Sequence, residues 1–114
     1  MRVIVAGSRS VSDFTLVSWV IEQSGFPISE LVSGGARGVD RLGERYALER
    51  GIPVRVFPAR WARYGRQAGF FRNSAMALYA DALVLVWQGS SRGSALMLRI
   101  AQDHGLRYFV HFLA

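Results

Sequence analysis

The sequence predicts an α/β fold, a doubly wound parallel sheet covered by helices on both faces. Three observations carry that prediction. Short apolar, β-branched runs alternate with stretches of helical period from one end to the other. The runs are of the buried type, and "DALVLVW" (81–87), the most hydrophobic of them, reads as a central strand. No repeat, linker or low-complexity tract interrupts the alternation, so the 114 residues are most economically one domain, 1–114. Connections in such sheets are right-handed crossovers.

The elements follow in order. "VIVAG" (3–7) is the first strand. Phe14, Val17, Val20 and Ile21 then recur at helical spacing, with Ser12 as N-cap and Gly25 as the stop. "ELVSGG" carries the second strand. Val39, Leu42, Gly43, Tyr46 and Ala47 mark the next helix, which Gly51 and Pro53 end. "VRVF" (54–57) is the third strand, and the Arg- and aromatic-rich "PARWARYGRQAG" after it has no clean period. A helix is expected over 68–80, with Phe71, Ala75, Leu78 and Tyr79 on one face. Beyond the central strand and the loop "QGSSRGS", residues 94–104 read as a helix that His104-Gly105 terminates. "RYFVHF" (107–112) is the last strand.

Composition bounds the function. Hydrophobic residues make up 51% of the chain and aromatics 12%, which argues against a disordered chain. No apolar run approaches the ~20 residues that span a bilayer, so no membrane partner is expected. "MRVIVAGSRS" is too short an apolar run for a secretory signal, and a cytoplasmic protein is expected. The absence of cysteine removes disulfides, thiol nucleophiles and Cys-ligated metals. The net charge of +6 comes from 14 basic and 8 acidic residues, and every basic residue is arginine. Arginine suits phosphates and carboxylates, although a GC-rich or heat-adapted source alone would also give that bias.

Open α/β sheets bind ligands beyond the carboxyl ends of their strands. Three of the loops there combine small residues with a single arginine: "GSRS", "SGGARG" and "GSSRGS". Gly34, Gly35 and Gly38 would let a phosphate approach the main chain at a helix N-terminus, with Arg37 adding charge, and a Cβ at Gly35 would take the phosphate's place. In the third loop Ser90, Ser91 and Ser94 offer hydroxyls and Arg92 offers charge. The alternative for each loop is turn chemistry, with Gly for positive φ and Ser as helix caps.

Familiar signatures are absent. No G-x-G-x-x-G fits, and without lysine there is no ATPase phosphate loop. His104 and His111 lack metal spacing, and no metal or cofactor is expected beyond a nucleotide-like ligand. Asp40 and Glu44, one turn apart, are the carboxylates near the glycine loop and the only catalytic candidates. Asp40 can accept ribose hydroxyls or exchange a proton; helix-dipole charge and i,i+4 pairing, as for Arg45 with Glu49, are the alternative. Trp61 and Tyr64 can stack on a base, with Arg66, Arg72 and Asn73 as phosphate or base contacts.

"VIVAGSRS", "VSGGARGVDRLGERYA", "FFRNSAMALYADALVLVW" and "SRGS" resemble the YspA/YpsA-related branch of the SLOG superfamily. That superfamily joins the Smf/DprA DNA-processing proteins to the LOG phosphoribohydrolases. The resemblance covers nearly the whole chain and is most specific in "SGGARGVDRLGERYA". It implies a Rossmann-like five-stranded sheet of order 3-2-1-4-5, which would gather the three loops around one pocket. It also implies a nucleotide or nucleotide-derived ligand, held by Gly7, Ser8, Arg9, Ser33 to Gly38, Asp40 and Ser91, Arg92, Gly93 and Ser94, in a protein that acts as a sensor.

Two alternatives stay open. LOG enzymes hydrolyse a nucleotide N-glycosidic bond with a Glu just after their second glycine loop. The matching stretch here, "SRGSALMLR", has Ala95, Leu96 and Met97 instead. Smf/DprA proteins share an "SGxAxGID"-like loop and bind single-stranded nucleic acid, for which loop 58–72 would be a stacking surface. A homodimer or higher oligomer is expected too, because Trp19, Phe70, Phe71 and Met97 are many large apolar side chains for four helices to bury.

Overall fold

Strand period two divides the apolar side chains of this sequence between two cores. In β1 (Arg2–Gly7), Val3 and Val5 face one side of the sheet and Ile4 and Ala6 the other. The first core lies under α1 (Phe14–Ser24) and α2 (Val39–Glu49), where Val17, Val20, Ile21, Tyr46 and Ala47 meet Val3, Val5, Leu31, Val84 and Val86. The second lies under α4 (Ala68–Tyr79) and α5 (Arg92–Asp103), where Met76, Met97 and Ile100 meet Ile4, Val32, Leu83 and Leu85.

The computed structural model describes residues 1–114. With β2 (Glu30–Ser33), β3 (Val54–Val56), β4 (Ala82–Gln88) and β5 (Arg107–Leu113), β1 forms one sheet of order β3-β2-β1-β4-β5. Every neighbouring pair is parallel, so the expected fold and strand order hold. The stretch without a clean period becomes a single turn, α3 (Trp61–Tyr64), and a 3₁₀ turn over Gly65–Gln67. No helix is long and apolar enough to cross a membrane.

Three expectations need correction. The N-cap of α1 is Asp13 rather than Ser12, because the Asp13 carboxylate accepts the Leu16 N–H at 3.1 Å. On α4 the buried residues are Ala68, Asn73, Met76 and Ala77, whereas Leu78 is 77% exposed and Phe71 is also exposed. The small Ala77 and flexible Met76 pack on the sheet, which turns Asn73 inward and the bulkier rings outward. Finally, α5 starts at Arg92, two residues early, because the Ser91 hydroxyl caps it by accepting the Ser94 N–H at 3.2 Å. That earlier start brings the first turn of α5 to the end of β4.

Candidate functional site

The chain runs outward from β1 to β2 and β3, then returns to β4 on the other side of β1. Strand order reverses there, so a crevice opens beyond Gly7 and Gln88. Ser8 knits its base together. Its N–H donates to the Val86 carbonyl at 3.0 Å, and its hydroxyl accepts the Gln88 N–H at 2.8 Å and lies 3.4 Å from the Ser94 hydroxyl.

Two clefts adjoin this crevice. The narrower, about 240 Å³, has an apolar floor of Ala6, Leu85, Met76 and Met97. Gly7, Asp40, Asn73 and the start of α5 at Ser91, Gly93 and Ser94 complete it. The wider, about 510 Å³, runs along the glycine loop from Gly34 to Arg37 and is closed by Arg41, Glu44, Val56, Pro58, Ala59 and Trp61. Arg9, Ala36 and Arg72 line both clefts and form the ridge between them.

The glycine loop is held by its own side chains. The Gly35 N–H donates to the Ser33 hydroxyl at 3.0 Å, and that hydroxyl donates to Glu44 Oε2 at 2.6 Å. The Ala36 N–H donates to Asp40 Oδ2 at 3.3 Å. Gly38, at φ 81°, turns the chain into α2 against the Ser8 carbonyl, where a Cβ would lie 2.5 Å from that oxygen. A Cβ at Gly35 would meet Val56 Cγ1 at 3.1 Å, so it points at β3 rather than at the place expected for a phosphate. A Cβ at Gly34 is the one that would press on Arg72 and come 2.8 Å from Asp40 Oδ2.

Asp40 and Arg72 dominate the electrostatics. Burial pushes the Asp40 carboxyl up to about 6, against the pull of the Ala36 N–H and the Arg72 guanidinium; nearby Glu44 adds to the rise, and the Gly7 N–H opposes it. Arg72 donates from Nη1 to the Gly34 carbonyl at 2.6 Å and from Nε to Asn73 Oδ1 at 2.8 Å. Burial lowers its pKa, Asp40 acts in the opposite sense and Arg9 adds to the fall, yet an arginine so placed keeps its charge. The two ion pairs of the chain, Arg45–Glu49 and Arg50–Glu22, lie elsewhere. None of the four cleft arginines, Arg9, Arg37, Arg41 and Arg72, therefore makes a direct ion pair, although Asp40 is near enough to Arg72 for each to act on the other's charge.

Most residues singled out by sequence come together here. Gly7, Arg9, Asp40, Arg72, Asn73, Ser91, Gly93 and Ser94 surround the narrow cleft, and Gly34, Gly35, Arg37 and Glu44 line the wide one. Ser8 and Ser33 are buried behind the surface as supports, while the half-buried Gly38 and the exposed Arg92 line neither cleft. Sequence reasoning missed Arg41, whose Nε donates to the Gly35 carbonyl at 3.1 Å. Its place in the first turn of α2, beside Asp40, was the available signal. It also missed the floor residues Met76, Leu85 and Met97, which apolar periodicity cannot separate from core.

A parallel sheet of this order makes the chain a Rossmann-like α/β protein. It belongs to the YspA, cpYpsA-related SLOG family (YAcAr), whose model matches residues 1–64. That span holds the first and second loops but ends before Arg72 and the third. The chain is 33% identical over 116 residues to the Gene 61 protein of Mycobacterium phage D29, covering 92% of this chain and 91% of the phage protein. Its fold is similar to the X-ray structure of DNA processing protein A (DprA) from Streptococcus pneumoniae, with a TM-score of 0.71 at 20% identity. The match covers 96% of this chain but only 49% of the DprA chain, so this chain spans about half the length of that relative.

Proposed function

We propose that the protein binds a nucleotide or nucleotide-derived anion across the ridge between the two clefts. The observation that carries the reading is the set of four arginines around one buried carboxylate, Asp40, which acts on Arg72 and leaves Arg9, Arg37 and Arg41 without an acidic partner. Guanidinium groups left without carboxylates in a concave site favour a ligand that brings negative charge. In this reading a phosphate sits between Arg9 and Arg72 at the first turn of α5, where the helix dipole adds attraction. Because the Gly35 and Ala36 amides already have partners within the loop, "SGGARG" acts as a phosphate-binding loop chiefly through Arg37 and the shape of its main chain. Asp40 accepts ribose hydroxyls, Asn73 reads a neighbouring polar group, and the base extends into the wide cleft toward Trp61.

Binding without turnover fits this site better than LOG-like hydrolysis. Asp40 and Glu44 are the only carboxylates on the cleft walls, and Glu44 already accepts the Ser33 hydroxyl. A sensor that reports a nucleotide concentration needs no more than this. Native mass spectrometry of purified protein tests the reading: a retained nucleotide-sized mass is expected. Absence of any such mass, together with no heat of binding to a panel of nucleoside mono-, di- and triphosphates, would refute it.

A second reading has its own observation. Trp61, Tyr64, Phe70 and Phe71 are exposed among Arg60, Arg63 and Arg66, the composition of a stacking surface for single-stranded nucleic acid. An oligonucleotide bound more tightly than mononucleotides, with affinity falling steeply as salt rises, would favour that reading.

A further inference from the structure

The two edges of the sheet are built differently. At one edge β3 is three residues long, framed by Pro53 and Pro58, with Arg55 at its centre. A short strand with a charge and flanking prolines is how edges are kept from pairing. At the other edge β5 runs for seven residues in unbroken register with β4, from Ala82 opposite Arg107 to Gln88 opposite Leu113. It carries no proline, glycine or bulge, and after Arg107 it has no residue that is charged at neutral pH, with His111 counted neutral. Its outer backbone edge has no partner strand.

The side chains along that edge are mostly apolar, exposed on the α5 side and half-buried on the α1 side. On the α5 side Tyr108 is 49% and Phe112 64% exposed, and Phe112 stacks 5.2 Å from Trp87. On the α1 side the half-exposed Trp19 meets His111 edge-on at 5.6 Å, beside Phe109. We propose that β5 is the contact strand of a symmetric homodimer, in which two copies pair antiparallel about Val110 and continue one sheet through both.

A second copy is the occupant because the strand is complementary to itself in that register. Pairing about Val110 sets Tyr108 opposite Phe112 of the partner subunit and Phe109 opposite His111 of the partner subunit. Aromatic side chains then face each other on both surfaces, the cross-strand pairs that stabilise sheets. It also sets Arg107 opposite Leu113 of the partner subunit, so the two arginines lie at opposite ends, roughly 20 Å apart at the usual rise per residue. A chain of charge +6 associates with itself only where its arginines can be kept apart. The other aromatic surface, around Trp61 to Phe71, fails that condition because Arg60, Arg63 and Arg66 are interleaved with the rings. The inference is independent of the ligand reading, since β5 contributes nothing to either cleft.

The experiment uses light scattering at tens of micromolar in ~0.15 M salt, and cysteine cross-linking in a chain that has no cysteine of its own. The wild type should have the mass of a dimer. The double variant Tyr108→Lys/Phe112→Lys, at two exposed positions, should be a monomer with an unchanged circular dichroism spectrum. Val110→Cys should oxidise to a covalent dimer, because its symmetry mate would lie about 4.5–5.5 Å away between Cα atoms. Tyr108→Cys, displaced from its mate along the strand, should not. A monomeric wild type overturns the proposal. So does a folded double variant that stays dimeric, or cross-linking at Tyr108→Cys without cross-linking at Val110→Cys. If the double variant fails to fold, the cysteine pair alone decides.

Discussion

Arg72, on α4, reaches the glycine loop at the carboxyl end of β2 and donates from Nη1 to the carbonyl oxygen of Gly34 at 2.6 Å. One side chain thus joins the second half of the chain to the loop that opens α2, and its guanidinium forms part of the ridge between both clefts. It also lies close enough to Asp40 to hold down a carboxyl that burial drives upward. The two residues constrain each other: the acid keeps a cation in a half-buried place, and the cation keeps the acid from losing its charge entirely.

Replacing Arg72 should therefore cost both binding and stability. Arg72→Ala leaves the Gly34 carbonyl and Asn73 Oδ1 without donors, a loss of about 1–3 kcal/mol for each buried group that water does not reach. Arg72→Lys should not rescue it, since one ammonium cannot reproduce two forked contacts in different directions. Urea melts give the stability, and calorimetric titration with the retained nucleotide gives the binding. Full affinity in Arg72→Ala would remove Arg72 from the site.

The glycines can be told apart by substitution. Gly34→Ala places a methyl against the Arg72 guanidinium and Asp40 Oδ2. It should loosen that pair, weaken ligand binding at least ~10-fold and cost about 1–3 kcal/mol as overpacking. Gly35→Val acts differently, through a φ of 73° that a β-branched residue resists and through contact with Val56. It should lower the melting temperature more than it changes affinity per folded molecule. Equal effects of the two variants on both measurements would contradict the distinction.

The same two residues show what a sequence can and cannot disclose. The place of Asp40 on the cleft wall was legible because it follows the glycine loop at the start of a helix, where the carboxyl ends of the strands gather. The strand order was not written in periodicity; it came with the resemblance that the "SGGARGVDRLGERYA" stretch carries, and the pairing confirms it. The face of α4 was misread because apolar residues recur at helical spacing on two sides of that helix, and spacing alone does not say which side meets the sheet. Packing against the sheet selects small Ala77 and leaves Leu78 in solvent. Nor could spacing reveal that Ser8 and Ser33 spend their hydroxyls on Gln88, Glu44 and the Gly35 amide. Those partners lie in other elements, and only the folded chain brings them close.

The raised carboxyl gives a signed pH dependence. A group whose pKa climbs from 3.8 to about 6 on folding holds its proton more tightly in the native state. Its contribution to stability is full below pH 3.8, is lost as pH rises through about 6, and stays lost above that. The loss is on the order of 3 kcal/mol, from a shift of roughly two units. Asp40→Asn removes the titration, so the variant should be more stable than wild type at pH 7, and the difference should shrink toward pH 4. Urea melts of both proteins across that range measure it. Parallel profiles would show that Asp40 does not titrate in this window.

Asp40 also separates a sensor from an enzyme. If it grips ribose hydroxyls, Asp40→Asn keeps the shape and one acceptor oxygen but loses the charge. Binding should then weaken by about 1–3 kcal/mol, the scale of a hydrogen bond to a charged group. If it serves instead as a catalytic acid or base, the amide cannot exchange a proton. Affinity would then persist or tighten while turnover fell by ~10²-fold or more. A carboxyl near 6 suits either role, so the pKa does not choose between them. The walls of the cleft support the binding role. Glu44 is tied to Ser33, and α5 offers Ala95, Leu96 and Met97 where the LOG enzymes place their Glu, so Asp40 has no free second carboxylate to work with. The expected outcome is weaker binding and no turnover in either protein. Release of free base or phosphate by the wild type, abolished in Asp40→Asn, would make the protein a hydrolase and defeat the sensor reading.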